Sequence, residues 1–289
     1  MGMRQDNLVL SSTRKALQVR AEARIGSADA LCIYDLASHL GLEVRMANYP
    51  SMEGMYCRSE NPLIIVSSLR PAGRQVYTGA HELGHHVFGH GYRVDELTPD
   101  RVPQKRFDPI EFQADCFAGA LLMPPTAINH AFHVRGWNPK SCTPEQALTI
   151  AGCFGVGYTT IIHHLCRALR VLAEQDEERL LRYQVKQLRA DLLGEPCDGD
   201  LYVVDQHWPT RPIDVLIGDR IILPNEAEFE GACVMVERQE ATRMILRAVA
   251  QGCGRMVLPN ESDSKQVRVS RRGYHGRCIY RHLEDDDAE

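Results

Sequence analysis

Five consecutive residues, His81-Glu82-Leu83-Gly84-His85, have the types and spacing of a metal-dependent hydrolytic centre. On an α-helix, residues four apart lie on one face, so both imidazoles can close on one ion. Glu82 can then take a proton from a water held by that ion and act as general base. A catalytic ion of this kind keeps one position open and needs a third protein ligand. A downstream pattern with Gly at 88 and His at 91 would supply one, but Phe88 and Gly91 stand there. His86 and His90 are also four apart, yet Val87 takes the place of the glutamate. They read as helix-surface or core histidines.

The better source of a third ligand is the run Glu111-Phe112-Gln113-Ala114-Asp115. Glu111 comes 26 residues after His85, enough chain for a loop and a second, facing helix. Glu111 and Asp115 share a face of that helix. Alone, such a carboxylate pair is most often solvated. Here Phe112, Phe117, Leu121 and Leu122 make one side apolar, and a metal-binding motif lies upstream. Glu111 therefore reads as third ligand. Asp115 reads as acceptor for the far nitrogen of a ligand histidine, fixing its tautomer. Two histidines and a carboxylate suit Zn²⁺, and Mn²⁺ or Fe²⁺ also fit such donors.

The run Gly79-Ala80-His81-Glu82-Leu83-Gly84-His85, followed by Glu111-x-x-Ala114-Asp115-x-Phe117-Ala118-x-x-Leu121-Leu122-Met123-Pro124, resembles the ImmA/IrrE family of metallopeptidases. The resemblance covers about residues 25–175. It implies a zincin-like site similar to that of thermolysin-like proteases, with His81, His85 and Glu111 as ligands and Glu82 as base. It also implies a protein substrate, a helix-turn-helix repressor whose cleavage derepresses stress or mobile-element genes. The donor for the developing oxyanion stays open among His90, Tyr92, His130 and Tyr158.

Several elements must position these groups. Residues 1–24 are polar and read as an arm or a first helix. A helix is expected through residue 40, then strands at 41–46, 55–57 and 63–66. Such a sheet can accept a substrate as an added strand, with 55–57 as the expected edge. Leu83, Val87 and Phe88 give the motif helix an apolar face, and Gly89 and Gly91 close it. Thr143-Pro144-Glu145-Gln146 has the form of a capping box with Pro at N1. The segment it opens, 143–170, has helix-turn-helix spacing. Its second helix carries basic residues only near its end, Arg167 and Arg170, so a packing unit is preferred to a DNA reader.

Residues 171–193 read as charged helix, and Gly194 to Gly199 breaks the pattern. Short β-rich runs follow at 201–204, 213–217, 220–223, 233–237, 244–249, 256–258, 267–270 and 278–280. The run 244–249 could equally extend a helix from Gln239. The acidic run at 284–287 reads as a solvated tail.

The fold class expected is α+β: a small sheet with a zincin-like helical metallopeptidase domain and helix-turn-helix-like segment (1–178), a helical linker (179–199), and a smaller mainly-β domain (200–289), for which the resemblance implies a sensor role and an oligomerisation or substrate-recruitment role fits as well. The net charge of −5 argues against a broad nucleic-acid surface. Ten scattered cysteines without a C-x-x-C pair read as reduced thiols of a cytoplasmic protein. Cys116, beside Asp115, reads as a core residue ahead of a redox switch. Charges at Arg14, Lys15, Arg20, Glu22 and Arg24 leave no apolar secretory core, and the uncharged stretch 146–166 suits a helical pair better than a membrane span. The function expected is zinc-dependent endopeptidase. Two other classes compete with it. One is a DNA-binding regulator using 143–170, with a structural metal site; the other is a signalling module with such a site.

Overall fold

The computed structural model describes residues 2–91, 93–96, 107–259 and 263–283. The chain divides into two compact units. Met1–Ala127 and Gly273–Ile279 form the first; Ile128–Arg272 and Tyr280–Glu289 form the second.

The first unit opens with α1 (Gly2–Glu22), so the polar N-terminal stretch is a long helix rather than an arm. Ala16, Val19 and Arg20 form its buried stripe. The Arg20 guanidinium donates to Leu121 O (2.8 Å), Gly26 O (2.7 Å) and Asp29 O. These bonds satisfy carbonyls at a helix end and in a turn, which is why a fully buried cation is tolerated. Then come α2 (Ile33–His39), β1 (Glu43–Ala47), β2 (Met52–Cys57), β3 (Leu63–Ser67), α3 (Ala72–Phe88), β4 (Arg93–Glu96) and α4 (Pro109–Leu122).

The sheet of this unit runs β13-β1-β3-β2-β4, where β13 is the late strand Gly276–Arg277. The β1–β3 pair is parallel; the other pairs are antiparallel. β2 therefore has a neighbour on both sides, and β4 is the edge. This corrects the expectation that 55–57 is the free edge. The β4 strand that covers it is too short and polar to stand out by alternation.

The second unit starts within α5 (Pro125–His133), followed by a 3₁₀ turn at Pro139–Ser141. α6 (Pro144–Phe154) and α7 (Tyr158–His163) come next, then a π-helical turn at His164–Ala168. The expected capping box is present: Gln146 N donates to Thr143 Oγ1 (3.2 Å) and Thr143 N to Gln146 Oε1 (3.0 Å). α8 (Glu174–Leu181) and α9 (Val185–Leu193) split what reads as one charged helix.

The strands are β5 (Leu201–Val203), β6 (Ile213–Leu216), β7 (Arg220–Pro224), β8 (Glu228–Glu230), β9 (Val234–Gln239), β10 (Arg243–Ala248), β11 (Gly252–Val257) and β12 (Lys265–Ser270). They form two four-stranded sheets, β5-β7-β10-β9 and β6-β12-β11-β8. Residues 243–248 are strand, not helix, and Cys278–Tyr280 is a 3₁₀ turn rather than strand. The expected acidic tail and Tyr92 lie outside the described residues.

The division differs from the one read from the sequence at 178–200. Leu193 of α9 and Cys197 pack in one buried cluster with Leu201, Ile222 and Ile245. Arg211 Nη2 donates to Gly152 O of α6 (3.2 Å), and Arg135 forms a two-pronged pair with Asp205 at 2.7 Å on each prong. α9 thus shares a core with the strands, and α6 and the turn after α5 are bonded to the loop between β5 and β6. Among the described residues no helix is long and apolar enough to cross a membrane.

Candidate metal centre

The motif helix α3 carries His81, Glu82 and His85, all buried. α4 lies against it because Gly84 has no side chain: a Cβ there would sit 3.1 Å from Phe117 Cδ1 and 3.2 Å from Ala114 Cα. That close crossing lets a short carboxylate on α4 reach imidazoles on α3. Asp108 caps α4, accepting from Ile110 N at 2.9 Å with Pro109 at the first turn. Glu111 is therefore held in the first turn of the helix.

His81 Nε2, His85 Nε2 and Glu111 Oε2 converge. The two nitrogens are 3.0 Å apart, and the oxygen is 3.2 Å from His81 Nε2 and 3.5 Å from His85 Nε2. Ligand atoms bound about 2.0–2.1 Å from one tetrahedral ion would be about 3.3 Å from each other. The three residues form the group that could hold a metal among the described residues.

On the far side of His81, Nδ1 meets Asp115 Oδ1 at 2.9 Å. A carboxylate only accepts, so Nδ1 carries the hydrogen and the neutral ring turns the lone pair of Nε2 inward. The donor set thus fits a zinc ion: two imidazoles and a carboxylate, with one ring oriented from behind. Glu82 is fully buried and lies against β2, where a Cβ on Gly54 would fall 2.7 Å from Glu82 Oε1.

Of the five residues singled out in the sequence, the structure brings His81, His85, Glu111 and Asp115 into contact, with Glu82 buried on the same helix as the two histidines. It treats the open oxyanion candidates differently. Tyr158 is buried and donates to Leu180 O at 3.0 Å. His130 is exposed on α5, in the second unit. His90 lies beyond α3 with its Nδ1 3.0 Å from His85 Nδ1. It is neither a helix-surface nor a core histidine, because the left-handed Gly89 (φ +67°) turns the chain back at the helix end. His86 bonds Tyr56 Oη of β2 through Nδ1 at 2.9 Å, tying helix to sheet.

Cys116 is half-buried, and its thiol is pushed up to about 11, first by burial and then by Asp115, which keeps it in the thiol form. Among the described residues no two of the ten cysteines are joined in a disulfide. Gln113 and Ser11, which join the site through His90, were missed in the sequence; no spacing rule links position 11 to position 113.

Residues 37–165 match the family described as Peptidase_M78, the IrrE N-terminal-like domain. That match covers less than half of the chain and agrees with the resemblance carried by the two motifs. No curated protein matches the chain. Among solved structures it is similar to a Mycobacterium tuberculosis transcriptional regulator, at 18% identity and a TM-score of 0.33. That likeness covers 56% of this chain and 46% of the other, so the chain spans less than half of that protein.

Proposed function

We propose that the protein is a zinc-dependent endopeptidase whose substrate is another protein. The observation that carries this reading is the convergence of His81 Nε2, His85 Nε2 and Glu111 Oε2 beside the buried Glu82. His81, His85 and Glu111 would hold the ion. When bound, zinc would supply a Lewis acid that polarises the scissile carbonyl and makes a nearby water acidic. Glu82 accepts the proton of the attacking water on its carboxylate and delivers it to the leaving nitrogen. Asp115 keeps the His81 ring turned inward throughout.

The family match and the two motifs support a helix-turn-helix repressor as substrate, with derepression of stress or mobile-element genes as the outcome, in the cytoplasm. The competing reading, direct DNA binding by 143–170, has less support. Of the two arginines near the end of the second helix, Arg167 is engaged: Glu177 Oε1 accepts from Arg167 Nε at 2.9 Å and pairs with His163 Nδ1 at 2.7 Å.

The test pairs metal content with cleavage. Wild type should hold about one zinc per chain and Glu111→Gln much less. Glu82→Gln should keep its zinc and lose about 10²–10⁴-fold in the rate of peptide-bond cleavage. Cleavage at the wild-type rate by Glu82→Gln would remove the base assignment. A wild type that takes up no zinc would remove the metallopeptidase reading.

A further inference from the structure

The two proposed ligand histidines are held from behind in different ways. His81 rests on a carboxylate, Asp115, whereas His85 Nδ1 faces another imidazole nitrogen, His90 Nδ1, at 3.0 Å. Two ring nitrogens at that distance share one hydrogen, so which of them carries it is decided further away. His90 Nε2 lies 3.1 Å from Gln113 Oε1. The Gln113 amide is oriented in turn from α1. Ser11 Oγ gives its own hydrogen to Leu8 O (2.9 Å) and so meets Gln113 Nε2 (3.4 Å) as an acceptor. The amide nitrogen therefore points to Ser11 and its oxygen to His90.

From there the hydrogens follow in order. A carbonyl oxygen only accepts, so His90 Nε2 bears a hydrogen and, in the neutral ring, His90 Nδ1 has the lone pair. His90 Nδ1 accepts from His85 Nδ1–H. His85 Nε2 is left with its lone pair facing His81 Nε2 and Glu111.

We infer that Gln113 and His90 are positioning residues that lock His85 in its metal-binding tautomer, through a relay anchored on α1. The inference rests on the metal reading above. Three further contacts stiffen the relay. Ser12 Oγ donates to Gln113 O (3.0 Å), fixing α1 on α4 at that residue. The Phe88 ring stacks on His90 at 5.5 Å with an interplanar angle of 16°. Phe88 also packs edge-on against Phe117 of α4. Unlike Asp115, the relay orients its histidine without adding a negative charge, so the site keeps a single carboxylate among its three converging donors.

The experiment uses the full chain. Long-range ¹H–¹⁵N spectra of the zinc-free protein report which nitrogen of each histidine is protonated. Zinc affinity is measured by competition with a chromophoric chelator, and circular dichroism melting of the zinc-free proteins checks the fold. In the wild type, His85 should show the Nδ1–H form. Gln113→Leu and His90→Phe should mix the two tautomers and weaken zinc binding about 10–100-fold. Gln113→Glu, which still offers an acceptor to His90 Nε2, should keep the wild-type tautomer and stay within about threefold of wild-type affinity.

Wild-type affinity and an unmixed His85 tautomer in both Gln113→Leu and His90→Phe would overturn the relay. So would an Nε2–H form of His85 in the wild type, a result that needs no variant to fold. Absence of zinc binding by the wild type itself would instead remove the metal reading, and the His85 spectrum would still decide the tautomer.

Discussion

At Gly54 the sheet omits a side chain where the Glu82 carboxylate needs room. A Cβ there would lie 2.7 Å from Glu82 Oε1, closer than such atoms approach in folded proteins. Thr78, one turn before Glu82 on α3, crowds the same spot, so the carboxylate has little space to withdraw. Gly54→Ala should therefore displace the proposed base while leaving His81, His85 and Glu111 in place. We expect destabilisation of about 1–3 kcal/mol, read by denaturant unfolding. Cleavage should fall about tenfold or more with zinc content unchanged, because a displaced base is a misaligned one. Full activity with normal stability would show that Glu82 has another place to sit. The reason Gly54 escaped notice in the sequence is plain: a glycine in a strand signals a bulge or a close approach, and nothing local says what approaches.

At the scale of elements, α7 and the π-helical turn after it are tied to α8 by one carboxylate. Glu177 is buried, and His163 first, then Arg167, hold its carboxyl below the usual range. A folded pKa below the unfolded one stabilises the native state at pH values above the unfolded value, about 4.3. That contribution drains away as pH falls through the folded value. Wild type should therefore lose more unfolding free energy between pH 7 and pH 3 than Glu177→Gln does, in parallel urea titrations. Equal losses would mean that the carboxylate is no better placed folded than unfolded. The same pairing bears on the helix-turn-helix spacing in 143–170, because it engages Arg167 near the end of the second helix. The spacing is set by the turn at Gly155–Gly157, with Gly155 left-handed at φ +67°. The charge that would meet phosphate is set by what α8 supplies. α1 makes a similar point. Its polar sequence hides a buried stripe that includes Arg20, whose guanidinium donates both to the nearby Gly26 O and to Leu121 O, 101 residues along the chain.

At the scale of the whole molecule, the proposed metal donors lie entirely within the unit formed by Met1–Ala127 and Gly273–Ile279. A ligand that binds only the folded state stabilises it by mass action, about 2.7 kcal/mol at a free concentration 100 times its dissociation constant. Zinc should therefore raise the melting temperature of wild type and leave Glu111→Gln almost unchanged, and a chelator should reverse the shift. An equal rise in both proteins would point to zinc bound elsewhere. The β13 strand adds a second feature of this scale: residues 276–277, near the end of the described chain, pair with β1 at Arg45 and Met46. The first unit is thus completed by a segment more than two hundred residues from its partner in sequence.

The sequence by itself determined what is local. Histidines four apart on a helix face one way because the helical period is 3.6 residues. The capping box of α6 is written within four residues, and most strands of the second unit were legible from short β-rich runs between turn formers. Tertiary structure decided what depends on partners far along the chain. β2 is covered by β4, so it is not an edge. α9 packs with the strands because Leu193 and Cys197 are buried among Leu201, Ile222 and Ile245. The acceptor behind His85 is His90, oriented by Gln113 and through it by Ser11. Backbone periodicity is fixed within a turn or two of chain. Burial and hydrogen-bond direction are fixed only when separate segments meet, since each donor's role depends on what faces it.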